Sequence, residues 1–130
     1  MSHGTVLIVD DHPDTCWAVV RLVQKLGYEA ECVSSGSDAL NYLSGHAVGL
    51  ILLDYMMPEM DGLEVLSRLR HDPSLQAVPV VMHTALSDEM IRTRALVEGA
   101  QGFLVKGSYT VQDVRTTLAK YCAPATLEQN

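Results

Sequence analysis

Three apolar runs in this chain end directly in ionisable groups. Thr5-Val-Leu-Ile-Val9 ends in Asp10 and Asp11, Gly49-Leu-Ile-Leu-Leu53 in Asp54, and Phe103-Leu-Val105 in Lys106. A fourth run, Val78-Pro-Val-Val-Met82, is followed by His83 and Thr84. If these runs are parallel strands of one sheet, their polar ends gather at its carboxyl edge. Carboxylates gathered there repel one another unless a cation balances them. Hard oxygen ligands suit Mg2+ or Ca2+, and Mg2+ fits better where few carboxylates are on hand and water fills the shell. Helix capping or turn formation could use any one of these acids, but caps come singly and leave the other two unexplained. An Asp beside Mg2+, with a Lys and a Thr hydroxyl nearby, has the parts of a phosphoryl-accepting carboxylate. The carboxylate is the nucleophile. Metal and ammonium neutralise the phosphoryl oxygens, and the hydroxyl donates to one of them.

Other chemistries are poorly supported. Neither G-x-G-x-x-G nor G-x-x-x-x-G-K-[ST] occurs, so no phosphate-cradling glycine loop is present. The turn after the first run, Asp10-Asp11-His12-Pro13, would repel a nucleotide phosphate. No G-x-S-x-G elbow supports a serine hydrolase. His12 follows the acid pair, but a hard-cation site does not need imidazole. His3, His46, His71 and His83 have no metal-ligand spacing; His83 stands beside the site, where it could tune it. Three cysteines without a C-x-x-C argue against a disulfide framework or a zinc site, which makes a reducing cytoplasm the default.

The positioning elements follow from hydrophobic periodicity. Between the apolar runs lie helical stripes. Cys16, Val19/Val20, Val23 and Leu26 form the first, over Pro13 to Leu26, with Gly27 as its C-cap. Glu29 to Val33 reads as a short strand. Ser34 or Ser35 caps a helix running to Leu43. Tyr55 to Gly62 reads as a loop, followed by a helix over Leu63 to Arg70. Asp88 to Glu98 is a helix stopped by Gly99. The last helix carries Val111, Val114, Leu118 and Tyr121. Five strand–helix units with short connections imply parallel strands and right-handed crossovers, hence a doubly wound five-stranded α/β sheet with five helices. Periodicity does not give the strand order.

The composition agrees with one compact domain. The chain has 130 residues, 48% of them hydrophobic, with a net charge of -7. Ten acids and two bases lie in residues 1–64, against six acids and seven bases in 65–130, so the acidity is concentrated in one half. Arg92 and Arg94 are too small a patch for direct nucleic-acid binding. No apolar run approaches the roughly 20 residues of a membrane span, and the first ten residues do not read as a signal peptide. The expected organisation is an N-terminal extension over 1–4, one domain over 5–121, and a tail or cut linker over 122–130.

From Thr5 to Tyr121 the chain resembles the receiver domain of the two-component response regulator family. The matching pieces are Val9-Asp10-Asp11, Asp54-Tyr-Met-Met-Pro58-Glu-Met60-Asp61-Gly62, Thr84-Ala85, and Gly99-Ala100-Gln-Gly-Phe103-Leu-Val-Lys106. The resemblance implies a flavodoxin-like fold with strand order 2-1-3-4-5. It implies phosphorylation of Asp54 by a histidine kinase or phosphotransfer protein. It further implies Mg2+ on Asp11, Asp54 and the Met56 carbonyl, with Asp10 acting through water. Thr84 and Lys106 would contact the phosphoryl group, and Phe103 would be the aromatic that changes rotamer on activation. The partners implied are that donor and a downstream protein or attached output domain, with a homodimer through the fourth helix, fifth strand and fifth helix left open. Such a domain catalyses its own phosphorylation and dephosphorylation but is mainly a signalling element.

Two departures from the family pattern stand out. Gly107 follows Lys106 where proline is usual, which predicts a trans or mobile loop. His83 replaces an apolar residue before Thr84. Two other classes fit the residues less well. An aspartyl phosphatase would need an acid two positions after Asp54, where Met56 stands. A receiver-shaped binding module would have lost Asp54, Lys106 or an acid at 10–11, and all are kept. Met56 and Leu86 cannot align a water behind phosphorus, so slow self-dephosphorylation is expected.

Overall fold

The computed structural model describes residues 4–122. Strands β1 (Thr5–Val9), β2 (Glu29–Val33), β3 (Leu50–Leu53), β4 (Val80–Thr84) and β5 (Gly102–Val105) form one parallel sheet in the order β2-β1-β3-β4-β5. They alternate with α1 (Pro13–Lys25), α2 (Gly36–Leu43), α3 (Gly62–Arg70), α4 (Glu89–Val97) and α5 (Val111–Tyr121). This is the doubly wound, flavodoxin-like arrangement expected. Residues 1–3 of the expected extension and 123–130 of the expected tail lie outside the described residues. Gly4 is buried, and Cys122 is buried with its N–H on the Leu118 carbonyl at 2.8 Å, closing α5.

The apolar runs have no polar face because both faces of the sheet are covered. Along β1, Leu7 and Val9 pack with Ile51 and Leu53 of β3 into a layer under α2 and α3. Val6 and Ile8 pack with Leu50 and Leu52 into a second layer under α1 and α5. Val6, Leu7, Ile8 and Val9 are all fully buried. Each such side chain contributes about 1.5–3 kcal/mol, so a one-residue slip would exchange the two layers.

β4 differs from the expected span. It begins at Val80 and ends at Thr84, two residues later than the apolar run Val78–Met82. Pro79 has no N–H to give to a ladder, although its carbonyl accepts from the Ile51 N–H at 2.9 Å. His83 and Thr84 are therefore strand residues, paired with Leu104 and Val105. The cysteines also depart from expectation. The sulfurs of Cys16 on α1 and Cys32 on β2 are in bonding contact, with Cα atoms 6.1 Å apart. Counting cysteines cannot find a pair that the α1–β2 packing creates.

The helix ends follow local chemistry. Ser35, Asp61, Asp88 and Thr110 accept from backbone N–H groups at the starts of α2, α3, α4 and α5. Gly62 begins α3 for a steric reason. A Cβ there would stand 2.3 Å from the Asp54 carbonyl oxygen and 2.9 Å from the Tyr55 Cα. The return of the chain from α3's start onto the end of β3 thus requires glycine.

Gly62→Ala is expected to cost about 1–3 kcal/mol through overpacking against backbone. Gly45→Ala, whose Cβ meets nothing within 4 Å, should change stability by no more than about 0.5 kcal/mol. Urea denaturation of both variants checks the contrast.

Candidate functional site

The sheet's hydrogen-bond ladder carries the polar residues past the strand ends. Asp10 N–H donates to the Val33 carbonyl at 3.1 Å, Asp54 N–H to Val9 at 3.0 Å, and Lys106 N–H to Thr84 at 2.8 Å. The backbone of each of these three residues is thereby fixed to a neighbouring strand. The carboxyl edge brings together Asp10, Asp11, Asp54, Thr84 and Lys106, as the apolar runs implied. Met56 is exposed on the rim of the same pocket. Phe103 stands apart, half-buried against the α3-side core, with the Arg92 guanidinium 5.6 Å from its ring centre.

Asp10, Asp54 and Thr84 are 1%, 2% and 1% exposed. Lys106 Nζ lies 2.6 Å from Asp10 Oδ2 and 3.2 Å from Asp54 Oδ2. One ammonium therefore serves two buried carboxylates. Burial pulls the Lys106 ammonium toward a lower pKa. The hydrogen bond to Asp10 and the attraction of both carboxylates outweigh that and leave it raised, so it stays charged. Burial pushes the Asp54 carboxyl above its ordinary range; Lys106 and Thr84 oppose this, while Asp10 reinforces it. Asp54 thus sits where its negative charge is undercompensated by protein alone.

The donor set fits a divalent cation. Asp10, Asp11, His12 and Asp54 each offer a ligand atom, all within 4.8 Å of one another. The buried Asp11 Oδ1 receives no hydrogen bond, and the His12 Nδ1 lies 3.2 Å from it. Hard carboxylate oxygens at this density are the ligands Mg2+ takes.

Two histidine contacts were not legible in the sequence. His12 N–H donates to Asp10 Oδ1 at 2.9 Å, and its ring Nδ1 lies 3.2 Å from the same oxygen, so it organises the acid turn. His83 is buried, with Nε2 2.7 Å from the Tyr109 hydroxyl. Burial, helped by Lys106, lowers the His83 pKa to about 4, which keeps the ring neutral at pH 7. This bond ties β4 to the loop after Lys106, whose Gly107 has φ +83° and in which no peptide is cis. The expected trans path is therefore present. Only the departure from an apolar residue at position 83 hinted at such a contact.

A family model described as the response regulator receiver domain matches residues 6–119. The chain is 39% identical over 103 residues to a cyclic di-GMP phosphodiesterase response regulator of Xanthomonas campestris, covering 78% of this chain and 27% of that protein. It is 37% identical over 102 residues to the two-component response regulator ORR3 of rice, covering 78% of each. Among solved structures, the signal receiver domain of a histidine kinase from Syntrophus aciditrophicus superposes with a TM-score of 0.81 at 32% identity, covering 90% of this chain and 88% of that one. The chain thus spans about a quarter of the Xanthomonas protein but most of the rice one.

An acid whose native pKa is raised binds its proton more tightly folded than unfolded, so its ionisation lowers stability as pH rises through that window. Asp54→Asn is accordingly expected to stabilise the metal-free protein at pH 7 by on the order of 1 kcal/mol. The gain should shrink as pH falls into the ordinary carboxylate range, because wild-type Asp54, with its raised pKa, takes up its proton above that range. Thermal melts of both proteins across that range test the sign.

Proposed function

The chain belongs to the response regulator receiver domain family of two-component systems, and on that premise we propose that it is a phosphorylation switch with Asp54 as the acceptor. The observation that carries this reading is the single Lys106 ammonium shared by Asp10 and Asp54 at the floor of an open pocket. A phosphohistidine of a histidine kinase or phosphotransfer protein is the proposed donor. An Asp54 oxygen attacks phosphorus, the P–N bond breaks, and the imidazole leaves with the bonding pair. Lys106 keeps its positive charge beside the acyl phosphate. The Thr84 hydroxyl, released from the Leu86 N–H that it accepts at 3.4 Å, donates to a phosphoryl oxygen.

Asp10, Asp11, Asp54 and the Met56 carbonyl would hold Mg2+, with Asp10 acting through water. The cation supplies charge neutralisation for the transferring phosphoryl group. His12 would orient Asp10 and Asp11 around it. Movement of Thr84 toward the phosphoryl group opens space for Phe103, and the change spreads to α4, β5 and α5. That face exposes Met90, Val97 and Val111 at 74%, 82% and 51%. It is the proposed surface for a downstream protein, an attached output domain or a second copy. Among the described residues no helix is long and apolar enough to cross a membrane, and we place this signalling role in the cytoplasm.

Incubation with acetyl phosphate and Mg2+ should add one phosphoryl mass to the wild type and none to Asp54→Asn. An adduct of equal yield in the variant would refute the assignment. The second expectation concerns lifetime. Met56 presents no group able to align an attacking water. Met56→Asn should hasten phosphate loss by roughly tenfold, which corresponds to about 1.4 kcal/mol of barrier from one hydrogen bond. Decay followed by mass spectrometry reads this directly, and an unchanged rate would rule out the water-alignment argument.

A further inference from the structure

The α1–β2 edge carries chemistry that phosphoryl acceptance does not use. Cys16 lies in the first turns of α1 and is 2% exposed, whereas Cys32 lies on the edge strand β2 and is exposed. Their Cα atoms are 6.1 Å apart, inside the range a disulfide spans without backbone movement, and their sulfurs are in bonding contact. They share a groove with Trp17, the only tryptophan in the chain. The third cysteine, Cys122, is buried and free. We infer that Cys16 and Cys32 are a reversible thiol–disulfide site for low-molecular-weight disulfides.

The difference in exposure sets the order of the reaction. The Cys32 thiolate attacks one sulfur of glutathione disulfide. An S–S bond forms to Cys32 and one glutathione leaves as thiolate. The Cys16 thiolate then attacks the Cys32 sulfur, forming the internal disulfide and releasing the second glutathione. Two protein thiols are oxidised, one glutathione disulfide is reduced, and the two thiol protons end on two glutathiones. A dithiol runs the sequence backward.

The site braces the acid turn from both sides. Cys16 N–H donates to the His12 carbonyl at 3.0 Å. Cys32 precedes Val33, whose carbonyl holds the Asp10 N–H at 3.1 Å. Closing the disulfide therefore joins the two backbone anchors of the Asp10–His12 turn. This consequence follows from the fold alone and stands whether or not Asp54 accepts phosphate.

The test starts from the full chain reduced with dithiothreitol, freed of reductant and equilibrated with excess glutathione disulfide. The expected product is a monomer lighter by two hydrogens. Denaturing alkylation should find one free thiol of three, assigned to Cys122, and dithiothreitol should restore all three. Cys16→Ser should stop at a glutathionyl adduct on Cys32, and Cys32→Ser should stay unmodified, both with wild-type circular dichroism. In the oxidised wild type, amide exchange at Asp10 and Cys16 should slow at least severalfold. Three free thiols, a lasting glutathionyl adduct on the wild type, or a disulfide-linked dimer would overturn the inference. An adduct on Cys16 in Cys32→Ser would overturn the order of steps, and unchanged exchange would overturn the bracing.

Discussion

One ammonium group between two buried carboxylates is the interaction on which the site depends. Without Lys106 Nζ, the carboxylates of Asp10 and Asp54 would face each other with almost no water to screen them. Burying an ion pair costs about several kcal/mol per ion before attraction returns any of it. A triad of two acids and one base is therefore an unfavourable way to fill the end of a sheet. It leaves one negative charge unbalanced and Asp54 reluctant to ionise. That deficit is of the sign that a bound cation would balance.

The triad can exist because the strands are parallel. In a parallel sheet every strand delivers its carboxyl end to the same edge, so residues at 10, 54, 84 and 106 converge without any loop having to reach. The ladder bonds at Asp10, Asp54 and Lys106 continue the sheet into the site, and the two apolar layers below leave the backbone no alternative register. The packing of Val6 to Val9 and Leu50 to Leu53 is in this sense part of the chemistry.

The ends of β1, β3 and β5 were legible because their apolar runs stop at Asp10, Asp54 and Lys106, where the end of burial on both faces is visible as an abrupt change of composition. The start of α2 was legible through Ser34 or Ser35, of which Ser35 is the cap, whereas Asp61 and Asp88, read as a loop residue and as a helix residue, turn out to be the caps of α3 and α4. The extent of β4 was obscured by Pro79, which looks apolar in a window of hydrophobicity yet cannot enter the ladder as a donor. Strand order came from resemblance to a family and not from any periodicity. Contacts between distant segments left no local trace: Cys16 with Cys32, and His83 with Tyr109, meet only because the sheet is wound in one particular order.

α4 differs from the other helices in how little it buries. Ala95 is its single fully buried residue, while Met90, Leu96 and Val97 face outward. An alanine in a core contributes little transfer free energy, so the capping bonds of Asp88 and the chain connections carry much of what keeps this helix in place. Inverting a two-state population from 1:99 to 99:1 takes about 5.5 kcal/mol of differential binding. A tightly packed helix would consume much of that in broken contacts. A helix moored by one buried alanine leaves far fewer contacts to break.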